Sequence, residues 1–218
     1  MFPHWLIKTG FHLLYHQMAW SYDLIAWAVS FGQWSAWRRL ALQFMQPGPT
    51  LELAYGTGAF FVEMLDRGYQ PVGIDVSPYM ARIAGKRLRK NTPNLRFSQA
   101  KAQALPFPNS TFTNIVATFP TDYLLEDETL AEIHRVLRES TPDSSSRLVV
   151  VAEGKLRGPW PVHHFIDWLY KVTGQHDTPL EKPIAPLTKH NLTARREFVE
   201  QDGAIARLII AEKRPTEP

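Results

Sequence analysis

Between residues 50 and 152, short apolar runs alternate with stretches whose apolar residues recur every three or four positions. The runs at 50–54, 71–75, 95–98, 113–118 and 147–152 have the length and composition of buried strands. The stretches between them predict helices from residue 59 to about Gly68, from Pro78 to about Lys90 and from about Asp127 to Arg138, with a loop at 142–146. Strands alternating with helices in this way build a parallel sheet covered on both faces. The alternation then breaks. Residues 195–200 and 204–212 predict two strands joined around Asp202-Gly203, a hairpin turn pair.

The segment before Pro47-Gly48-Pro49 has a different pattern. Trp20, Leu24, Trp27 and Phe31 make one stripe at helical spacing, and Met18, Tyr22, Ile25 and Val29 make another on nearly the opposite face. A helix that is apolar all round is buried, or it contacts a ligand, a partner or lipid. Residues 1–46 are therefore expected to form a helical lid over a substrate, and 47–218 the main α/β domain. Within that domain, 155–191 is expected to be an insertion near the site with a helix over 162–172, the whole forming one structural unit.

Composition narrows the options only slightly. A chain of 218 residues, 44% hydrophobic and 21% charged, suits one domain with a substantial core. The absence of cysteine excludes disulfides, thiolate metal sites and a cysteine nucleophile, and no metal site is expected. Net charge is +3, and much of the basic excess falls in Arg82, Lys86, Arg87, Arg89 and Lys90, a run expected to be a solvated helix face. No nucleic-acid partner is expected. The start lacks the pattern of a cleavable signal. The longest stretches without Asp, Glu, Lys or Arg, at 9–22 and 24–37, are 14 residues each, against about 20 for a membrane span. A cytoplasmic setting is expected.

The chemistry concentrates where the first strand ends. Leu51-Glu52-Leu53-Ala54-Tyr55-Gly56-Thr57-Gly58 runs an apolar strand with an embedded acid into a glycine-rich turn, and a helix follows. Glycines there permit backbone angles closed to other residues and carry no Cβ to block a ligand. Asp75 ends the next strand, 19 residues after Gly56. In open α/β sheets, an acid about 20 residues beyond such a turn accepts hydrogen bonds from ribose hydroxyls. A dinucleotide site expects a third glycine three residues after Gly58, and Phe61 stands there instead, which argues against pyrophosphate binding.

This stretch resembles the first motif of the class I S-adenosylmethionine-dependent methyltransferases, acid-x-Gly-x-Gly-x-Gly. Glu52 matches the acid, Gly56 and Gly58 the last two glycines, and Ala54 replaces the first. The run 103–112 is similar to the family's loop between strands three and four, and Ala117-Thr118-Phe119-Pro120 takes the place of its fourth motif. Tyr22-Asp23-Leu24-Ile25, Ser30-Phe31-Gly32 and Trp37-Arg38-Arg39 are similar to the branch that methylates ubiquinone and menaquinone precursors. Lys101 departs from the pattern, since the family usually carries an acid at that position to accept from the adenine amino group.

The resemblance implies a Rossmann-like, seven-stranded sheet with helices on both faces, a terminal antiparallel hairpin and an N-terminal helical lid. It implies S-adenosylmethionine as cofactor, held by Glu52, Ala54, Tyr55, Gly56, Gly58, Asp75, Val76, Ala102, Gln103 and Phe119, with Tyr55 or Phe119 offering a ring face to the sulfonium. The acceptor is expected to be a small, partly apolar molecule, with lipid or peripheral membrane contact through the aromatic N-terminus. Methyl transfer needs alignment above all, and a base only where the acceptor loses a proton. Tyr123, His16 and Tyr22 are the candidates for that base, with Asp23, His163 and His164 behind them. Two alternatives stand beside this reading: a non-catalytic protein that binds the same cofactor, and a nicotinamide-dependent oxidoreductase.

Overall fold

The structure is a computed structural model that describes residues 22–88, 96–140, 145–155 and 184–214. The helix expected over 162–172, most of the 155–191 insertion, and His16, His163 and His164 lie outside the described residues. In chain order the elements are α1 (Tyr22–Val29), α2 (Trp34–Arg39), β1 (Thr50–Leu53), α3 (Ala59–Leu65), β2 (Pro71–Asp75), α4 (Pro78–Leu88), β3 (Phe97–Gln99), β4 (Asn114–Thr118), α5 (Asp127–Val136), β5 (Arg147–Lys155), α6 (Ala185–Lys189), β6 (Leu192–Gln201) and β7 (Ala204–Lys213). Short 3-10 turns follow α2 (Leu40–Phe44) and precede α5 (Asp122–Leu125).

The seven strands form one sheet in the order β3-β2-β1-β4-β5-β7-β6. The first five pair in parallel, and β7 runs antiparallel between β5 and β6. Asp202 and Gly203 both take positive φ, +51° and +82°, the turn geometry that matches the twist of a hairpin. The chain reverses its direction of travel across the sheet between β1 and β4. Ligands of open α/β sheets bind at such a switch point, outside the carboxyl ends of the strands.

Alternation along the strands divides the core into two layers. Ile115 and Ala117, Leu148 and Val150, and Ile209 and Ala211 face one side, where Leu130, Ile133 and Val136 of α5 cover them. Val116, Val149 and Val151, with Leu208 and Ile210, face the other side, against Phe60 and Met64 of α3. Trp37, Leu40, Ala41 and Met45 complete that second layer. The expected lid therefore divides by burial: residues 37–45 supply core side chains, whereas Leu24, Trp27 and Phe31 are 63%, 61% and 56% exposed. The sequence pattern could not separate these two parts, because both are aromatic and of helical period.

Several contacts bind α2 to the body of the fold. Among them, Arg38 donates to Glu63 of α3 at 3.0 Å, and the Trp37 ring packs against Gly154 of β5, where a Cβ would sit 2.1 Å from the ring. Trp37 is 1% exposed and cannot yield without opening the second layer. Gly154→Ala is accordingly expected to destabilise the fold by about 1–3 kcal/mol through overpacking, read as a lower urea midpoint at unchanged slope.

Candidate functional site

The turn after β1 has three left-handed residues: Ala54 at φ +54°, Gly56 at +55° and Gly58 at +73°. Two are glycines, for which this region carries no steric penalty. Ala54 pays for its Cβ by about 1–2 kcal/mol of strain, so replacing the motif's first glycine has a backbone consequence as well as a steric one. The turn is held from both sides. Asp75 Oδ2 accepts from the Gly56 N–H and its Oδ1 from the Ser77 N–H, both at 2.8 Å. Opposite, Arg87 of α4 donates to the Thr57 carbonyl at 2.8 Å and to its hydroxyl at 2.9 Å. The Thr57 hydroxyl donates in turn to Asp23 of α1 at 2.7 Å, and Arg87 also pairs with Asp23 at 2.5 Å.

Of the basic run expected to be a solvated face, Arg82 and Lys86 are exposed, and Arg87 departs from that reading. It reaches back 30 residues along the chain to the turn. Its partner Asp23, a reserve candidate for the base, is engaged by two donors. Sequence spacing carried no signal for this meeting, because α1 and α4 come together only in the folded chain.

The aromatic residue at position 61 has a structural counterpart in β2. Phe61 is 2% exposed and packs in a cluster with Tyr55, Ala84 and Leu88. The room for its ring comes from Gly73 of β2, where a Cβ would lie 2.8 Å from Tyr55 and 3.2 Å from Phe61. A glycine in the neighbouring strand thus supplies the close approach that a third glycine would supply in the helix.

A cavity of about 490 Å³ opens beside the turn. Of the residues expected at the cofactor, Ala54, Asp75, Val76, Ala102 and Gln103 line it, together with Tyr123 from the list of candidate bases. Lys101, singled out as a departure, also lines it, as do Ile74 and Ala100, which sequence reasoning missed. Glu52, Gly56 and Gly58 shape the turn behind this wall. Two expected side chains point elsewhere. The Tyr55 ring packs in the core against Phe97, with centroids 5.2 Å apart, and so offers no face to a sulfonium. Phe119, held at φ +51°, stacks on Trp34 at 4.0 Å and belongs to the α2 side of the sheet. Tyr22 opens α1, but its side chain lies outside the described part of the structure.

The loop that closes the cavity is tied to α5. Arg135 donates to the carbonyls of Phe107 and Leu105 at 2.7 and 3.0 Å, and Glu132 accepts from the Leu105 N–H at 2.6 Å. Gln103, which lines the cavity, donates its amide N–H to Glu126 at 2.6 Å.

Electrostatically the site rests on two buried acids. Glu52 is 2% exposed, and its Oε2 has no hydrogen-bond partner among the described residues. Burial raises its pKa from 4.5 to about 8, against the pull of the Arg38 guanidinium. Burial also raises Asp75, partly offset by the N–H groups of Ser77, Gly56 and Val76 that point at it. An apolar cavity with a carboxylate on its wall, and an orphaned buried carboxylate behind the turn, suits a flat ligand with hydroxyl groups and a cationic end.

The fold and site thus define a Rossmann-like sheet that holds a nucleoside cofactor at its switch point. A family model described as a methyltransferase domain matches residues 50–140. A demethylmenaquinone methyltransferase of Thermus thermophilus is 32% identical over 196 residues, covering 86% of this chain and 82% of that protein. A ubiquinone/menaquinone biosynthesis C-methyltransferase of Pasteurella multocida is 30% identical over 134 residues, covering 57% of this chain and 50% of that protein. A solved SAM-dependent methyltransferase structure from Aquifex aeolicus superposes with a TM-score of 0.55 at 18% identity, covering 81% of this chain and 88% of that one. The chain belongs to the S-adenosylmethionine-dependent methyltransferases, among the relatives of the quinone-biosynthesis enzymes. Its cofactor is S-adenosylmethionine and its acceptor a small molecule, and the nicotinamide alternative falls away.

Glu52 makes stability depend on pH with a definite sign. Between its ordinary value of 4.5 and about 8 the folded chain holds a proton that the unfolded chain has lost, so raising the pH through this window weakens the fold. Each unit is worth at most about 1.4 kcal/mol. Glu52→Gln is therefore expected to raise the melting temperature of the cofactor-free protein above pH 8, with the gain shrinking to nothing towards pH 4.5. Thermal melts across that range check it; a pH-independent difference would count against the buried acid.

Proposed function

We propose that this enzyme methylates a ring carbon of a small quinol that carries an apolar tail. The relatives named for demethylmenaquinone and for ubiquinone/menaquinone C-methylation support the acceptor class. The observation that carries the reading is the cavity itself, which has Asp75 on its wall and, across the switch point, Tyr123.

S-adenosylmethionine, when bound here, would supply an electrophilic methyl group, its sulfur keeping the electrons of the sulfur–methyl bond. Asp75 accepts from the ribose hydroxyls while it keeps the turn closed. Val76 and Ala102 pack on the adenine, and the Gln103 oxygen accepts from its amino group in place of the acid that Lys101 displaces. Glu52, behind Ala54, Gly56 and Gly58, takes the cationic end of the cofactor and becomes ionised in doing so. Tyr55 contributes through its backbone. Methylation of a ring carbon would leave a ring proton to be removed. The ring proton then leaves to a base, for which Tyr123 is the residue at the cavity; His16 and Tyr22 remain candidates from the lid.

A transfer assay with labelled S-adenosylmethionine and a demethylated menaquinol checks this. Label is expected in the quinol, with a loss of at least about 100-fold in Asp75→Ala and a smaller loss, in the range of about 10- to 100-fold, in Tyr123→Phe. Binding of S-adenosylhomocysteine with no labelled quinol would sink the acceptor assignment and leave the cofactor standing.

We also propose that the first helix meets a lipid surface, where an acceptor with an apolar tail resides. Among the described residues no helix is long and apolar enough to cross a membrane. Leu24 and Trp27 of α1, with Phe31 just beyond it, instead carry exposed apolar side chains. Co-sedimentation with phospholipid vesicles is expected to fall at least several-fold in a Leu24→Ser, Trp27→Ser variant. Equal sedimentation of variant and parent would remove α1 as the contact.

A further inference from the structure

We infer that Asp23 and Arg87 are positioning residues, which couple the seating of the N-terminal helix to the shape of the cofactor turn. Thr57 lies between Gly56 and Gly58, the most conformationally permissive stretch of the site. Asp75 fixes only the Gly56 side. On the other side, the peptide of Thr57 is fixed by Arg87 at 2.8 Å, and its hydroxyl is shared: it accepts from Arg87 at 2.9 Å and donates to Asp23 at 2.7 Å. Thr57 is only 4% exposed, so the restraint reaches inside the turn.

The ion pair is not there chiefly for stability. The side chains of Arg87 and Asp23 are 33% and 39% exposed, a setting in which such pairs contribute little. Their geometry is the informative part. Arg87 comes from the last turn of α4 and Asp23 from the first turn of α1. One guanidinium fork therefore grips both the turn and the lid helix, which lysine could not do. When α1 sits in place, the left-handed path of the turn from Ala54 to Gly58 is held from both sides. When the cofactor orders the turn, α1 gains its partner. Such coupling is reciprocal by linkage.

The inference rests on S-adenosylmethionine binding beside this turn, and hydrogen exchange with calorimetry separates the two. In the parent protein, S-adenosylhomocysteine is expected to slow amide exchange in residues 22–33. In Arg87→Met and in Asp23→Ala it is expected to bind about 5- to 50-fold more weakly and to leave exchange in 22–33 unchanged at saturation. Lys86→Met, one residue away and outside the contact, is expected to behave as the parent. If Arg87→Met does not fold, Asp23→Asn reads the same effect, since it keeps an oxygen for Thr57 and loses the charge that orients Arg87. Protection of 22–33 that persists in the variants, or never occurs in the parent, overturns the coupling. Failure of S-adenosylhomocysteine to bind the parent at all would instead strike the cofactor reading.

Discussion

A single carboxylate holds two loops in one geometry. Asp75 takes an N–H from Gly56 with one oxygen and an N–H from Ser77 with the other. The ends of β1 and β2 therefore cannot move apart without taking the Gly56 N–H from a largely buried acid, which is costly in a low-dielectric setting. The rest of the site follows from this clamp. The left-handed path from Ala54 to Gly58 keeps its shape, Val76 is turned out to the cavity mouth, and the loop after β3 meets β2 through the Ala100 N–H and the Asp75 carbonyl at 3.2 Å. The group proposed to accept from the cofactor is also a structural brace of the turn. Binding and local order at this turn are thus not separable properties.

How far the chain could be read in advance depended on the range over which each signal acts. Strand and helix periods are local, and the sheet they imply is the sheet found, down to the hairpin at Asp202-Gly203. The glycine turn and its distant acid were legible because their separation is set by one strand–helix–strand unit. Phe61 was legible as a misfit in a dinucleotide motif, but its compensation by Gly73 was not, since that requires knowing that β1 and β2 are neighbours with Glu52 opposite Gly73. Arg87, Asp23 and Thr57 meet across 30 to 64 residues of chain, and no local pattern encodes such a meeting. Tyr55 and Phe119 failed as ring partners for the ligand for a related reason: position along a strand end does not say which way a ring turns once neighbouring aromatics compete for it.

The aromatic richness of the N-terminal segment has two separate physical causes. Trp37 is core, fitted to a glycine in β5, while Leu24, Trp27 and Phe31 remain in contact with solvent. Apolar groups of the first kind are fixed by packing density. Those of the second kind lower the cost of approaching an apolar phase. Asp23 lies beside this exposed group in sequence and holds the turn, so one short helix combines a surface property with a structural tie.

The position of β7 has a further consequence, for the order in which the molecule can be made. Its residues alternate between the two core layers, Ile209 and Ala211 on one side and Leu208 and Ile210 on the other, and it lies between β5 and β6. Every strand that it joins is synthesised before it. A nascent chain can assemble the parallel half early from neighbouring segments, yet neither hydrophobic layer is sealed, and β5 retains an open edge, until β7 has emerged. During translation the exposed flank of β5, rich in valine from Val149 to Val151, is therefore the surface most in need of protection from other chains.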